Sequence, residues 1–372
     1  MISTLGLVFG LGLAIAYING ANDVSKGIAT LVGSGVADYR RAVAWGTIWT
    51  GMGAVVGAFL AKAMIQTFGK GLFASGVHPT MVAAVATIAG AASWVAIATW
   101  KGLPVSTTHA IVGSIAGVAI LAYGAAGVNW AGLAARVALP LLLSPVLSLT
   151  LTVAALKMWS ALAPNHQADC LCAETDFGVG LSSQPNGLMA LTSAMPQVQI
   201  ATCNSAARTA PGVTLNHLHW LTSGATSFAR GLNDAPKMVA LILSAAILTG
   251  HGTNIPIVYF AMVAGGMMVG SWVAGQRVTE VLACKVTRMN HREGFVANLI
   301  TAALVAPAAV LGLPMSTTHV ASGAIIGVAT RRTDGVNRKV IWDMLMAWIV
   351  TLPFAAILGM AVFVAVQRLG LR

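Results

Sequence analysis

Charged residues are scarce in this sequence, since Asp, Glu, Lys and Arg make up only 8% of its 372 residues. Soluble domains carry about 25% charged residues, so a soluble enzyme or binding module is not expected. Aromatic residues amount to only 6%, and the 21 Lys and Arg residues lie between hydrophobic stretches rather than in a basic surface module. Nucleic-acid binding is therefore not expected, and the net charge of +11 is interpreted as charge that sets membrane topology.

Cysteine is also rare. Three of the four cysteines, Cys170, Cys172 and Cys203, lie in one long polar segment. A single Cys-x-Cys without a matching second pair is weak evidence for a metal or redox site, so no cofactor is expected. Residues Met1–Gly20 show neither a basic region nor a small-residue cleavage pattern, which predicts that the first hydrophobic stretch is retained as a membrane span.

Hydrophobic residues, by contrast, make up 57% of the chain, and the mean hydropathy is +0.81. Many apolar stretches approach the ~20 residues that cross a bilayer as a helix. The composition therefore predicts an all-α, multi-pass protein of the cytoplasmic (inner) cell membrane. The stretches are Ile2–Ile18, Ala42–Ala61, Thr80–Trp100, Val137–Met158, Ile255–Val273, Phe295–Leu311 and Val340–Val366.

Two motifs occur twice, which divides the chain into two repeats. Gly20–Lys26, with the pattern Gly-x-Asn-Asp, recurs at Gly231–Lys237, and Gly102–His109, with the pattern Pro-x-Ser-Thr-Thr-His, recurs at Gly312–His319. The two motifs share one offset to within a residue, so chance is a poor explanation. The prediction is a first transmembrane repeat at 1–162, a polar central segment at 163–216 and a second repeat at 217–372.

Equivalent loops of the two repeats differ in charge. Asp38–Arg41 is basic, whereas its counterpart Gly250–Asn254 has no Lys or Arg; Gly124–Ala135 has none, whereas Arg331–Lys339 has four. By the positive-inside rule the repeats face opposite ways. This predicts an inverted-topology repeat, the architecture of many secondary transporters, with the central segment in the cytoplasm.

Two acidic residues, Asp23 and Asp234, lie inside long hydrophobic segments. An ionisable group in such a place costs several kcal/mol and is a candidate functional residue. The competing interpretation is a structural ion pair, because Lys26 and Lys237 each follow their Asp by three residues, about one helical turn. The repetition of the whole motif in equivalent places favours function, with the lysines as candidates of second rank.

The Gly-x-Asn-Asp pattern in a hydrophobic run predicts a broken helix. Glycine relaxes the backbone, and the side chains of Asn22 and Asn233 can satisfy freed amides or cap a following half-helix. Pro236 suits the first turn of such a half-helix. Unwound carbonyls with Asn and Asp oxygens form a hard, oxygen-rich cluster, which indicates a site for a coupling cation, Na⁺ or H⁺.

The Ser-Thr-Thr-His segments predict the complementary, anion-binding part. Pro104 and Pro314 are expected to start a helix, whose first amides and hydroxyls would bind an anion. Hydroxyls in membrane helices often bond their own backbone instead, but three in a row at equivalent places favour the anion site. His109 and His319 rank second, since packing histidines are nearly as plausible as ligands or proton carriers. The six hydroxyl residues are Ser106, Thr107, Thr108, Ser316, Thr317 and Thr318.

With these four motifs in order, the sequence resembles the inorganic phosphate transporter (PiT) family, which has both motifs in each half. The resemblance covers nearly the whole chain outside the central segment. It implies inverted repeats with the Ser-Thr-Thr segments at the bends of re-entrant helical hairpins, and symport of phosphate with Na⁺ or H⁺; some members carry sulfate. It also implies that Asn22, Asp23, Asn233 and Asp234 serve the coupling cation and help to fix the anion.

The second Gly-x-Asn-Asp motif departs from the family pattern. It reads Gly-Leu-Asn-Asp-Ala-Pro-Lys and follows Arg230, where many members have a His. Phosphate and sulfate therefore both stay open as substrates, as do Na⁺ and H⁺ as coupling ions. Besides the anion, the expected partner is the lipid bilayer, and a homodimer is left open.

Two other functional classes are an intramembrane enzyme and a passive anion channel. Ser106 and His109 have the spacing of a nucleophile and its base. Their duplication argues against an enzyme, which needs one asymmetric site. A passive anion channel would not need Asp23. The favoured hypothesis is a symporter in which the two halves rock around a central site by alternating access.

Overall fold

The computed structural model describes residues 4–69, 71–162, 170–174, 180–183, 189–192, 197–199, 213–248, 256–332 and 336–370. Cys203 and the loop Gly250–Asn254, on which part of the topology prediction depends, lie outside these residues, and so does part of Arg331–Lys339. The inverted orientation of the repeats therefore stays a prediction.

The described transmembrane part is helical. The helices of the first half are α1 (Thr4–Asp23), α2 (Ser25–Gly33), α3 (Tyr39–Leu60), α4 (Lys62–Gly69), α5 (Met81–Trp100), α6 (Thr107–Tyr123), α7 (Trp130–Gly132) and α8 (Leu139–Leu162), with a 3-10 turn at Ala125–Gly127 and a π-helical turn at Leu133–Ala138. Those of the second half are α9 (Leu215–Leu248), α10 (Pro256–Ala274), α11 (Gln276–Glu280), α12 (His291–Val310), α13 (Thr317–Ala329) and α14 (Arg338–Arg368), with a π-helical turn at Val281–Lys285.

Eight helical segments within the described ranges are long and apolar enough to cross a membrane. This agrees with the predicted all-α, multi-pass class. Between the halves the structure describes five short strands, which pair antiparallel in the orders β4-β1-β5 and β2-β3. They are β1 (Cys170–Glu174), β2 (Gly180–Ser183), β3 (Met189–Thr192), β4 (Gln197–Gln199) and β5 (Val213–Thr214).

The helices of the two halves pack on each other in reciprocal pairs. Helix α1 packs on α10 and α9 packs on α3; likewise α6 packs on α14 and α13 packs on α8. Glycines make these contacts close: a Cβ on Gly20 would lie 2.1 Å from the carbonyl oxygen of Met267, and one on Gly231 would lie 2.2 Å from that of Thr50. Small residues at such crossings let helix backbones approach each other in lipid.

The second motif forms the bend of a helical hairpin in each half, α5–α6 and α12–α13. Gly102 and Gly312 both have φ of +72°, the left-handed conformation that ends a helix and that glycine adopts without strain. Leu103 N donates to Ala98 O at 2.8 Å, and Leu313 N donates to Ala308 O at 2.9 Å. The second arms, α6 and α13, have 17 and 13 residues, fewer than the ~20 that a full crossing needs, as expected for re-entrant hairpins.

The prediction that Pro104 and Pro314 start these second arms is wrong by three residues. Helix α6 begins at Thr107 and α13 begins at Thr317. The preceding serine has extended backbone and its side chain accepts from a backbone amide three residues on, so serine rather than proline defines the helix start.

The predicted helix break at the Asn-Asp pairs occurs in one half only. In the first half a single turn residue, Val24, separates α1 from α2, and it keeps helical dihedrals. In the second half α9 runs through the motif with Pro236 inside it, so the predicted half-helix start is wrong there. The Asn and Asp side chains have hydrogen-bond partners on the hairpins instead, so a break that frees backbone amides is not required to satisfy them.

Candidate functional site

The first Asn-Asp pair lies at the buried end of α1, where Lys26 holds it. The ammonium Nζ of Lys26 donates to Asp23 Oδ1, Asn22 Oδ1 and the Asn22 carbonyl oxygen, each at 2.7 Å. All three residues are almost fully buried. The ion pair that competed with the functional interpretation therefore exists, and it lies inside the predicted site.

Asn19 joins the two halves at this point. Its side-chain amide Nδ2 lies 2.8 Å from Asp23 Oδ2, 3.1 Å from Thr107 Oγ1 and 3.3 Å from Asp234 Oδ2. Thr107 Oγ1 also donates to Asp23 Oδ2 at 3.2 Å. The two carboxylates and a hydroxyl of the first Ser-Thr-Thr segment thus meet around one amide, although the sequence analysis did not single out Asn19.

The second Asn-Asp pair makes a different set of contacts. Lys237 Nζ donates to Asp234 Oδ1 at 3.1 Å and, across the interface between the halves, to Thr108 Oγ1 at 2.7 Å. Asn233 Nδ2 donates to Asp234 Oδ1 at 2.8 Å. This lysine therefore links the second Asp to a hydroxyl of the first hairpin, rather than holding only its own motif.

Both asparagines also attach the long helices to the hairpin bends. Asn22 Nδ2 donates to the Leu103 carbonyl at 3.1 Å and to Thr99 Oγ1 at 2.9 Å, and Asn233 Nδ2 donates to the Met315 carbonyl at 2.9 Å. Such bonds satisfy carbonyls that the tight bends leave free. The two motifs predicted from the sequence are thus in direct contact within each half.

The six predicted hydroxyl residues are all buried, but their hydrogen-bond partners differ. Ser106 Oγ and Ser316 Oγ accept from the amides of His109 and His319, each at 3.2 Å, and so cap α6 and α13. Thr318 Oγ1 donates to the Val105 carbonyl at 2.8 Å, a contact between the two bends. Thr107 and Thr108 contact the charged groups as described, and Thr317 is buried without a specific contact to them.

The two second-rank histidines lie against each other. The ring centroids of His109 and His319 are 4.4 Å apart, and His319 lies 4.1 Å from the ring of Trp348. His109 Nδ1 and His319 Nε2 are buried without a hydrogen-bond partner. The stack connects the starts of the two hairpin arms, so these residues belong to the site region, and their role stays a prediction.

The buried cluster contains more positive than negative charge. Asp23 and Asp234 face Lys26 and Lys237, and Arg230 on α9 adds a third buried cation. With the histidines neutral, the formal charge is +1. In the sequence Arg230 stands out only as a departure from the family pattern. Its position four residues before Asp234, on the same helical face, was a signal that could have placed it here.

Two side-chain oxygens in the cluster are left without a donor. Asn19 Oδ1 and Asn233 Oδ1 are buried and unpartnered. Together with the carboxylates they offer the hard oxygen ligands that Na⁺ requires. Among the residues that the structure describes there is no group of three His, Cys, Asp or Glu that could hold a transition-type metal ion.

A cavity of about 700 Å³ approaches the cluster from one side. Thr99, the partner of Asn22, lines it together with Arg277 and Glu280 of α11. Arg277 Nη1 donates to the Trp100 carbonyl at 2.9 Å. The cavity therefore ends one hydrogen bond away from the first Asn-Asp pair.

Comparison with known proteins identifies relatives over almost the whole chain. The model of the PHO4 phosphate transporter family matches residues 19–359. A relative in Pyrococcus horikoshii, named as a phosphate permease, is 28% identical over 98% of each chain. A relative in Bacillus subtilis, named as a low-affinity inorganic phosphate transporter, is 29% identical over 93% of this chain and 92% of its own.

A solved structure titled "The sodium-dependent phosphate transporter" has the same fold. It superposes with a TM-score of 0.80 at 25% identity, covering 98% of this chain and 99% of that one. These matches confirm the resemblance that the four motifs indicated. They are to transporters, which confirms that the chain is not an enzyme.

Proposed function

We propose, because this chain belongs to the phosphate transporter family, that it is a secondary active transporter that imports inorganic phosphate in symport with Na⁺ across the cytoplasmic membrane. One observation carries the proposal: both carboxylates of the repeated motif lie in the same buried cluster as Thr107 and Thr108, bridged by Asn19. Cation ligands and anion ligands are therefore within one hydrogen-bonded network.

The anion is proposed to bind at the start of α6 and α13. The first amides of a helix have no partner within it, and the dipole of the helix favours negative charge there. Thr108 adds a hydroxyl donor, because its oxygen accepts from Lys237, whereas the hydroxyl of Thr107 donates to Asp23. Lys26 and Lys237 neutralise the two carboxylates, which removes the repulsion that bare Asp residues would exert on an oxyanion.

The coupling cation is proposed to bind among Asp23, Asp234 and the free oxygens of Asn19 and Asn233. A Na⁺ ion there would neutralise part of the negative charge of the substrate, and so lower the cost of carrying it through a low-dielectric path. The solved relative is named as sodium-dependent, which supports Na⁺ over H⁺. Because substrate is carried only with the cation, a gradient of Na⁺ would drive accumulation by alternating access.

The test is uptake of radiolabelled phosphate by proteoliposomes that contain the purified chain. Three conditions are compared: an inward Na⁺ gradient, an inward proton gradient without Na⁺, and equal K⁺ on both sides. The expected result is accumulation above equilibrium with the Na⁺ gradient alone. A variant at a carboxylate outside the cluster, Asp38→Asn, should accumulate phosphate as the wild-type chain does, since Asp38 is exposed and caps α3.

The outcomes separate the parts of the proposal. Accumulation that follows the proton gradient would overturn Na⁺ coupling and leave phosphate transport standing. Equilibration without accumulation in every condition would indicate a passive channel. Excess unlabelled sulfate is added in a further arm; inhibition by sulfate stronger than that by unlabelled phosphate would overturn phosphate as the substrate.

A further inference from the structure

Arg230 is the largest fully buried side chain of the described chain, and its charge is not paired. Its Nη2 lies 3.3 Å from Ser271 Oγ, and its Nε and Nη1 have no hydrogen-bond partner. The ion pairs of the cluster are made by Lys26 and Lys237 instead. At least three N–H groups of this guanidinium are therefore buried without an acceptor.

The position of Arg230 places it at the transport cluster. On α9 it precedes Asp234 by four residues and Lys237 by seven, so the three side chains follow one face of the helix. Ser271 of α10, which holds the guanidinium, also donates to the Gly20 carbonyl at 3.2 Å. Gly20 is the neighbour of Asn19, and Arg230 interacts electrostatically with both Asp23 and Asp234.

A charge in this situation needs a partner that the described part of the chain does not provide. Burying an unpaired cation costs more than one long hydrogen bond to a neutral hydroxyl returns. The two nearby carboxylates are already held by lysines at 2.7 and 3.1 Å. An oxyanion would supply both the missing negative charge and the missing acceptors, and its charge would offset the formal +1 of the cluster.

We propose that Arg230 is a ligand of the transported oxyanion and selects its doubly charged form. This inference rests on the proposed function, since it names the substrate state that the same site binds. A guanidinium only donates hydrogen bonds and stays protonated at any physiological pH. Singly charged phosphate has two O–H groups, and these find no acceptor on arginine, whereas the dianion presents only one.

Direct binding to the purified protein in detergent, with Na⁺ present, tests this without requiring transport. Inorganic phosphate is titrated at pH 6 and at pH 8, and sulfate, which is a dianion at both, is titrated as a reference. The proposal expects wild-type affinity for total phosphate to rise with pH while that for sulfate stays level. Arg230→Gln should weaken binding of both dianions at pH 8 by about tenfold or more, the range for a hydrogen bond to a charged group.

Two further variants control the experiment. Arg230→Lys keeps the charge but loses the planar set of donors, and an intermediate loss of about threefold is expected. Arg332→Gln removes a cation of the second half that pairs with Glu293 away from the cluster, so phosphate affinity should stay within twofold.

The inference is overturned if Arg230→Gln binds both anions as wild type does, or if the wild-type affinity for total phosphate falls from pH 6 to pH 8. Should Arg230→Gln elute as an aggregate, Arg230→Lys and the wild-type pH comparison decide, and an unchanged affinity in the lysine variant counts against it. A protein that binds phosphate as expected but accumulates none in proteoliposomes would overturn the proposed function and not this inference.

Discussion

The two copies of the Gly-x-Asn-Asp motif share the Lys–Asp ion pair and the bond from asparagine to the hairpin bend, but their lysines and carboxylates differ in their other contacts. In the first half Lys26 bonds, among the described residues, only to Asn22 and Asp23 of its own motif. In the second half Lys237 reaches across to Thr108. The bond from Thr107 to Asp23 has no counterpart in the described part of the second half. The duplication therefore builds one asymmetric site, not two equivalent ones.

This difference shows where a repeat is free to diverge. The helix crossings at Gly20 and Gly231 are nearly identical, because backbone contact there leaves no room for a side chain. The polar side chains at the centre meet on the interface between the halves, where Asn19 contacts Asp23 of its own half and Asp234 of the other. Symmetry of the fold thus coexists with distinct roles for matched residues.

The largest difference between the two halves is expected when the two carboxylates are replaced one at a time. Asp23→Asn is expected to lower Na⁺-driven phosphate uptake by at least about 100-fold, because it leaves buried Lys26 without its counter-charge and weakens the junction with Thr107. Asp234→Asn breaks a longer ion pair, and among the described residues Asp234 accepts from no hydroxyl, so a smaller loss of about tenfold is expected. Initial uptake rates in proteoliposomes measure both; equal losses would contradict the asymmetric site.

The paired glycines should instead behave alike. Gly20→Ala and Gly231→Ala each place a Cβ within about 2 Å of a carbonyl oxygen, at Met267 and at Thr50. We expect both to lower the free energy of unfolding by about 3 kcal/mol or more, within about 1 kcal/mol of each other. Thermal or denaturant unfolding in detergent measures this. Gly10→Ala, whose Cβ would meet nothing, is the control, and a loss for only one of the pair would show that the crossings are not equivalent.

The smallest expected effect is the coupling energy between Lys237 and Thr108, which a double-mutant cycle measures. A double-mutant cycle of Lys237→Met and Thr108→Val should give a coupling of about 1–2 kcal/mol in phosphate binding. The matched cycle in the other half, Lys26→Met with Thr318→Val, should give less than about 0.5 kcal/mol, since Thr318 donates to Val105 instead. Equal couplings would mean that the two lysines play the same role.

The sequence predicted the all-α, multi-pass fold class and the family correctly, because composition and motif spacing record these features directly. It did not predict which side chains of one half contact those of the other, such as Asn19 with Asp234 and Lys237 with Thr108. Asn19 lies outside the repeated motif, so repetition could not reveal it. The helix starts at Thr107 and Thr317 were misplaced because a capping serine competes with a proline as a start signal. The roles of the individual site residues stay predictions, to be tested as described.

The reciprocal packing of α6 on α14 and of α13 on α8 sets a limit on how the molecule can move. A Cβ on Gly113 would lie 2.3 Å from the Leu352 carbonyl oxygen, and one on Gly323 would lie 2.5 Å from that of Pro145. Any motion that keeps these contacts has to carry the hairpin arm of one half together with the last helix of the other. The mechanical units of the protein are then mixtures of both halves, and the boundary at which they slide differs from the boundary between the repeats in the sequence.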